Sequence, residues 1–394
     1  MSSAFICGAV RTPFAIRNSY LERYSTAQLA SLPLADMVKR NPKLDWRRVD
    51  RLYVGSNNKN LCTLEGAKKF VDVCVDKTSI ERNVSVTPLG WLHCTGMAAI
   101  ERAAGDIGTG ASNLSVVIGV SSSSKARGPA TNADYSGSEG EFKFTRLSEK
   151  AARRSMLAKN YAISNENINS YIVAAYGRTM AARQRGFFDR ECMLISNDQK
   201  LGGGYFSEDE LDGLRLREHG RRFVDSLVDI HPSLHEGFAP TVDGSCCLLV
   251  ASMSGVEELG LRARARVLAH AVVESPLAAD SPYCIPAIRK VFAETGLRPK
   301  DLDVIEVGEV CAVEAISVMK DLGVPLGLAK LNGSGGDLAI GEATGASSAR
   351  LVVTAINSMQ SKNLRYALCA ASSNSGHGIA IILENTQFLN KTER

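Results

Sequence analysis

The sequence has no apolar run near the roughly 18 residues that span a bilayer, so no membrane-spanning helix is expected. It has little surplus charge of either sign. Its 46 Lys and Arg against 42 Asp and Glu leave +4, too few to predict binding to nucleic acid or a membrane surface. None of the ten cysteines stand at C-x-x-C spacing, which argues against a structural zinc site. His231 and His235 stand at H-x-x-x-H spacing, but Pro232 intervenes and no third ligand is near, so no metal or resident cofactor is expected. The N-terminus lacks a basic segment and a cleavage site, and Met1-Ser2-Ser3 runs directly into the strand-like Ala4–Val10. That pattern predicts a cytoplasmic protein with reduced thiols. With 45% hydrophobic, 22% charged and 34 glycines in 394 residues, what remains is an ordinary globular chain with a large core.

Along the chain, strand-like and helix-like segments alternate. Leu52–Gly55 and Asn83–Val86 are β-rich. Met97, Ile100, Ala104 and Ile107 recur at helical spacing, and Leu114–Val120 reads as a buried strand. This is α/β texture. From Lys125 to about Pro240 the sequence turns to Gly, Ser and Asn, with one long helix that Ser164 would cap and Gly186 would end. We read 125–245 as an insertion covering the core, between an N-terminal unit (1–124) and a C-terminal unit (246–394). The two units repeat each other. Asp50–Gly55 matches Asp303–Gly308, Thr95-Gly96 matches Thr344-Gly345, and Ser121–Ser123 matches Ser372–Asn374. All three lie in the same order at nearly one offset of about 250 residues, the mark of a duplicated unit.

Cys7, Cys74, Cys246, Cys247 and Cys369 sit in apolar segments and read as small buried hydrophobes. Cys94 directly precedes a helix. Free N–H groups and the positive end of a helix favour a thiolate and can hold an oxyanion. It also falls where the two units should meet.

These residues resemble the thiolase superfamily. Arg11-Thr12-Pro13-Phe14 is similar to its N-terminal signature, and Leu92-His93-Cys94-Thr95-Gly96-Met97 to its nucleophile loop. Met156-Leu157-Ala158 with Ile163-Ser164 resembles its covering loop domain. Gly335–Gly341 resembles its glycine-rich C-terminal loop, and Gly376–Ala380 its last hairpin. The resemblance implies duplicated βαβαβαββ halves in α/β/α/β/α layers, a loop domain over the site, and a homodimer or tetramer of dimers.

It also implies four catalytic elements, of which only Cys94 is intact. Gly308, followed by Glu309, stands where the family has the asparagine that orients a water. Glu342 replaces the histidine, and Ser372 the second, acid/base cysteine. Cys369 is three residues out of register and should face elsewhere. A Glu342 carboxylate at that position would oppose a Cys94 thiolate. Ser372 cannot deprotonate a carbon without an activating base. Backbone N–H groups of Cys94 and Asn374 would form the oxyanion hole. Met156, Arg221, Arg222 and Arg217 could meet a substrate, and His93 or His377 could replace the lost base. The expected function is acyl transfer onto Cys94 from an acyl-coenzyme A or acyl-carrier thioester, with Glu342 as acid/base group and coenzyme A as part of the substrate. The alternative is a catalytically degenerate binding subunit, or one active only within a multi-subunit acyltransferase complex.

Overall fold

The computed structural model describes residues 3–56, 58, 61, 63–90, 92–125, 141–196, 205–211, 237–276, 279–325 and 330–389. The chain opens with β1 (Ala4–Arg11), β2 (Ala15–Ile16) and α1 (Thr26–Arg40). It continues through β3 (Arg51–Ser56), α2 (Leu64–Val75), β4 (Ser85–Leu89), α3 (Thr95–Gly108) and β5 (Leu114–Ser121). The covering segment holds α4 (Glu141–Asn160), α5 (Asn165–Gln184) and a ribbon of β6 (Ile195–Ser196) and β7 (Tyr205–Phe206). The sheet resumes with β8 (Val242–Ser252), α6 (Met253–Glu258), β9 (Ala265–Glu274), α7 (Cys284–Thr295) and β10 (Val304–Val307). Then come α8 (Ala312–Asp321), α9 (Asp337–Ile340), α10 (Ser347–Ser361), β11 (Tyr366–Ser372) and β12 (His377–Asn385).

The strand order is β10-β11-β12-β9-β1-β8-β5-β3-β4. Each half repeats one pattern. β3 is parallel to β5, and β5–β8 and β8–β1 are antiparallel; β10 is parallel to β11, and β11–β12 and β12–β9 are antiparallel. The repeated Asp50–Gly55 and Asp303–Gly308 segments fall on β3 and β10. The repeated serines end β5 and β11, and the repeated Thr-Gly pairs fall at the start of α3 and just before α10. The halves join edge to edge where Ala4–Ile6 of β1 pairs with Ala265–Val267 of β9. Every residue of β1, β5 and β8 is buried, as strands covered on both faces must be.

Helices α3 and α10 form the middle layer. Both are buried along most of their length, and they cross closely at Gly96, where a Cβ would lie 2.7 Å from Ala349 N. A core of Met97, Ile100, Ala103, Leu351, Val352 and Ile356 fills this layer. A second core lies under α1 and α2, and a third under α7, α8, α4 and α5. This is the α/β/α/β/α stack.

In the covering segment, Ser164 caps α5 through a reciprocal capping box with Asn167. Gly186, at φ +64, follows the helix's last residues. The segment also contributes the β6–β7 ribbon, and β8 already begins at Val242, features the insertion reading did not include.

Candidate active site

Cys94 is the N-cap of α3, reached through a single 3-10 turn over Leu92–Cys94. It is fully buried. Its Sγ lies 3.4 Å from Ala371 O and 3.5 Å from His377 O, so the S–H points at the turn end of the β11–β12 hairpin. Asn374 is half-buried in the turn of that hairpin, which a Gly376 N–H to Ser373 O bond closes. The structure therefore brings the nucleophile and the Asn374 turn together.

The thiol does not have the electrostatics expected of a helix N-terminus. Burial pushes it well above its ordinary range, and the Cys284 thiol and the Glu314 carboxylate push it further. Two carbonyl oxygens also favour the protonated form, since they accept a hydrogen bond from S–H and repel S⁻. Desolvation by burial is the largest influence on the thiol, against the expectation that the start of α3 would favour a thiolate.

Glu342 is bridged into the backbone beside Thr241, donating its N–H to Pro240 O and accepting from Val242 N–H. Its carboxylate is buried. Oε1 lies 2.7 Å from His93 Nδ1, and Oε2 accepts from the Thr344 hydroxyl at 3.2 Å. Glu342 thus holds a histidine, and it is not among the groups that raise the Cys94 thiol. An Nδ1–H bound to a carboxylate leaves Nε2 as the imidazole's other functional nitrogen. His93 is 5% exposed, and among the described residues no partner occupies Nε2. His377 instead pairs its Nδ1 with Ser375 Oγ at 2.9 Å.

Ser372 Oγ accepts the backbone N–H of Cys284 at 3.1 Å, so it satisfies the first residue of α7. That places a second thiol, Cys284, beside the hairpin, fully buried in the core under α7 and α8. Burial and then the Glu314 carboxylate push Cys284 up to about 12, while the Ser372 hydrogen bond opposes them. The loop before α7 is pinned from the covering segment: Arg153 donates to Ala279 O and Ser281 O and lies over the Tyr283 ring at 3.5 Å. Cys369, as expected, faces the other way, with its Sγ toward Leu351 O of α10.

Gly308 has room: a Cβ there would make ordinary contacts with Ala371, the nearest at 3.5 Å to its Cβ. Glu309 is not at the nucleophile. It is fully buried, accepts from the Tyr171 hydroxyl, Asn332 Nδ2 and Leu338 N–H, and donates its own N–H to Asp337. It ties α5 and the glycine-rich loop to the end of β10. Met156, on α4, packs on the core beneath α7 and α8. Arg217, Arg221, Arg222, His231 and His235 lie outside the described residues. Among those described, no group of three metal-ligating side chains occurs, and no helix is long and apolar enough to cross a membrane.

Sequence reasoning missed two members of this cluster, Cys284 and Glu314. Glu314 carried one signal: a lone charge inside the apolar run Ala312-Val313-Glu314-Ala315-Ile316.

Residues 4–254 match the family described as Thiolase, N-terminal domain, and residues 261–385 match Thiolase, C-terminal domain. The chain belongs to the thiolase family. It is 29% identical over 412 residues to a beta-ketoadipyl-CoA thiolase of Acinetobacter baylyi, covering 98% of this chain and 100% of that one. It is 31% identical over 411 residues to the 3-oxoadipyl-CoA/3-oxo-5,6-dehydrosuberyl-CoA thiolase of Escherichia coli, with the same coverage. The fold matches human mitochondrial 3-ketoacyl-CoA thiolase with a TM-score of 0.84 at 22% identity, covering 98% of this chain and 99% of that one. This thiolase-family chain thus matches these relatives over essentially their whole length and shares the fold of the solved structure.

Proposed function

We propose that this thiolase-family member is an acyltransferase that forms an acyl thioester on Cys94 from an acyl-coenzyme A or acyl-carrier thioester. The observation that carries the reading is the setting of Cys94: a thiol at the start of α3, against the β11–β12 turn, one residue after a histidine held by a buried carboxylate. When Sγ adds to a thioester carbonyl, negative charge develops on the carbonyl oxygen. Backbone N–H groups of Cys94 and Asn374 are the donors for it, and Glu342 holds the neighbouring His93 imidazole in orientation. Glu342 then acts through His93 rather than as the acid/base group itself.

Carbon–carbon bond formation asks for more. It needs a base for an acyl α-carbon, and Ser372 is occupied as the acceptor for Cys284 N–H. Gly308 offers no side chain to hold a water. These features favour acyl transfer over condensation. The relatives' names supply the substrate class, coenzyme A thioesters.

Incubation with acetyl-coenzyme A and longer acyl-coenzyme A thioesters should add one acyl mass to the intact protein, and Cys94→Ala should show none. The raised Cys94 thiol favours the second reading, a subunit that binds without turnover. Absence of an adduct with every short- and medium-chain thioester would establish that second reading over the first.

A further inference from the structure

Helix α7 begins without a side-chain cap of its own. Its first N–H, that of Cys284, goes instead to Ser372 Oγ on β11 at 3.1 Å. The residues before it, 279–283, form neither helix nor strand, and three consecutive carbonyls there accept from α4 of the covering segment. Arg153 donates to Ala279 O at 3.1 Å and to Ser281 O at 3.0 Å. Asn160, about two turns further along α4, donates to Asp280 O at 3.3 Å. The Arg153 guanidinium also lies 3.5 Å from the centre of the Tyr283 ring, on a residue that is buried.

From this loop, direct contacts run on to the nucleophile. Gly378 of β12 has no room for a Cβ, which would fall 1.8 Å from Tyr283 O and 2.7 Å from Cys284 Cα. Backbone therefore packs on backbone where α7 starts, and close packing of that kind passes a displacement on rather than absorbing it. Gly378 pairs with Ser372 across the hairpin. The residues that precede these two, His377 and Ala371, supply the carbonyls on Cys94 Sγ, at 3.5 and 3.4 Å. Asn374 lies in the turn between them. Arg153 thus reaches the surroundings of Cys94 through one loop and one hairpin.

We propose that Arg153 is a positioning residue for Cys94: it seats loop 279–283 on the β11–β12 hairpin, and so fixes the two carbonyls and the Asn374 turn around the nucleophile. Its consequence for catalysis rests on the acyl-thioester reading above. The side chain suits the task. A planar guanidinium donates in two directions and stacks on a ring at once, whereas a lysine ammonium meets carbonyls as a compact point charge. No bond or proton changes hands at Arg153, so its loss acts through geometry alone. A misplacement of about 1 Å at reacting groups costs on the order of 100-fold in rate. The covering segment therefore holds the nucleophile in its reactive setting from the far side of α7.

Acylation kinetics and amide hydrogen exchange on the same variants test this. In Arg153→Met the saturating rate of Cys94 acylation by acetyl-coenzyme A, followed by quenched intact-mass spectra, should fall about 10- to 100-fold, with the half-saturating concentration little changed. Exchange in the peptide spanning residues 371–378 should speed, because the Ser373 and Gly376 N–H bonds that close the hairpin loosen. Arg153→Lys should fall short of wild type in both by less, and it carries the test should the Met variant not fold. Ser372→Ala removes the acceptor for α7, so the two effects should overlap. The double variant should be slower than the worse single variant by less than about twofold. A lower melting temperature with wild-type acylation and exchange assigns Arg153 a merely structural role and overturns the proposal. A change confined to the half-saturating concentration puts Arg153 on the substrate, and fully multiplying effects in the double variant separate it from the hairpin; either overturns the proposal too. Failure of the wild type to acylate with any thioester fells the acyl-thioester reading alone. Faster hairpin exchange in Arg153→Met then still supports the positioning role, and unchanged exchange overturns it.

Discussion

His93 and Glu342 stand 249 residues apart in the chain and 2.7 Å apart in space. Both are buried, so the hydrogen bond between them replaces water that neither reaches freely. If Glu342 orients His93, Glu342→Gln keeps the shape but loses the charge that fixes the tautomer. Acylation of Cys94 should then slow by about 10- to 100-fold. Alkylation of Cys94 by iodoacetamide should not change, since the field at that thiol comes from Cys284 and Glu314. His93→Ala, which removes the Nδ1 donor from the buried Glu342 carboxylate, should cost about 3 kcal/mol in urea unfolding. A cost near zero would mean that solvent reaches Glu342 and that the pair does not exist.

The element that organises the site is the β11–β12 hairpin, on which the first residues of α3 and α7 both rest. Close approach at Gly378 makes this possible, so Gly378→Ala must push α7 away. It should lower stability by about 2–3 kcal/mol in thermal or urea unfolding and slow acylation as well. Gly105→Ala is the control. No atom lies within 4 Å of its added Cβ, and in mid-helix it should stabilise by up to about 1 kcal/mol. Elements of this kind were legible in the sequence: β3 and β10 through their repeat, α3 through its apolar spacing, and α5 through Ser164 and Gly186. Short-range physics sets each of them. The site was legible only at Cys94, which sits in a local pattern. Cys284 reaches the hairpin from a helix far along the chain, and only packing of the layers brings it there. The same packing turned Ser372 into a partner for α7 and Glu309 into an anchor for the glycine-rich loop.

Across the whole molecule, a buried ionic web ties the two halves to the covering segment. Arg11, at the end of β1, binds Glu191 and makes a bidentate pair with Asp209, both from the covering segment. Glu191 also accepts from Thr354 and Asn357 of α10, and Arg350 of α10 pairs with Asp337, which takes the N–H of Glu309. Glu306, in the middle of β10, stands in this web unsatisfied. Neither of its carboxyl oxygens has a hydrogen-bond partner among the described residues. Burial pushes it up to about 8, with Arg350 drawing it down and Glu191 and Glu309 opposing. At neutral pH the folded protein therefore holds Glu306 protonated, whereas an unfolded chain titrates it near its ordinary 4.5. Between those values folding takes up a proton, so stability falls as pH rises, by up to about 1.4 kcal/mol per pH unit, until the folded group ionises as well. Glu306→Gln removes that slope. Urea unfolding of both proteins from pH 5 to 8.5 should show the variant gaining on wild type by about 4 kcal/mol across the window. Burial raises Glu309 and Asp243 too, but they act in both proteins and cancel in the difference. Parallel stability curves would show that Glu306 is already ionised in the folded state, with its charge compensated by Arg350 across the web.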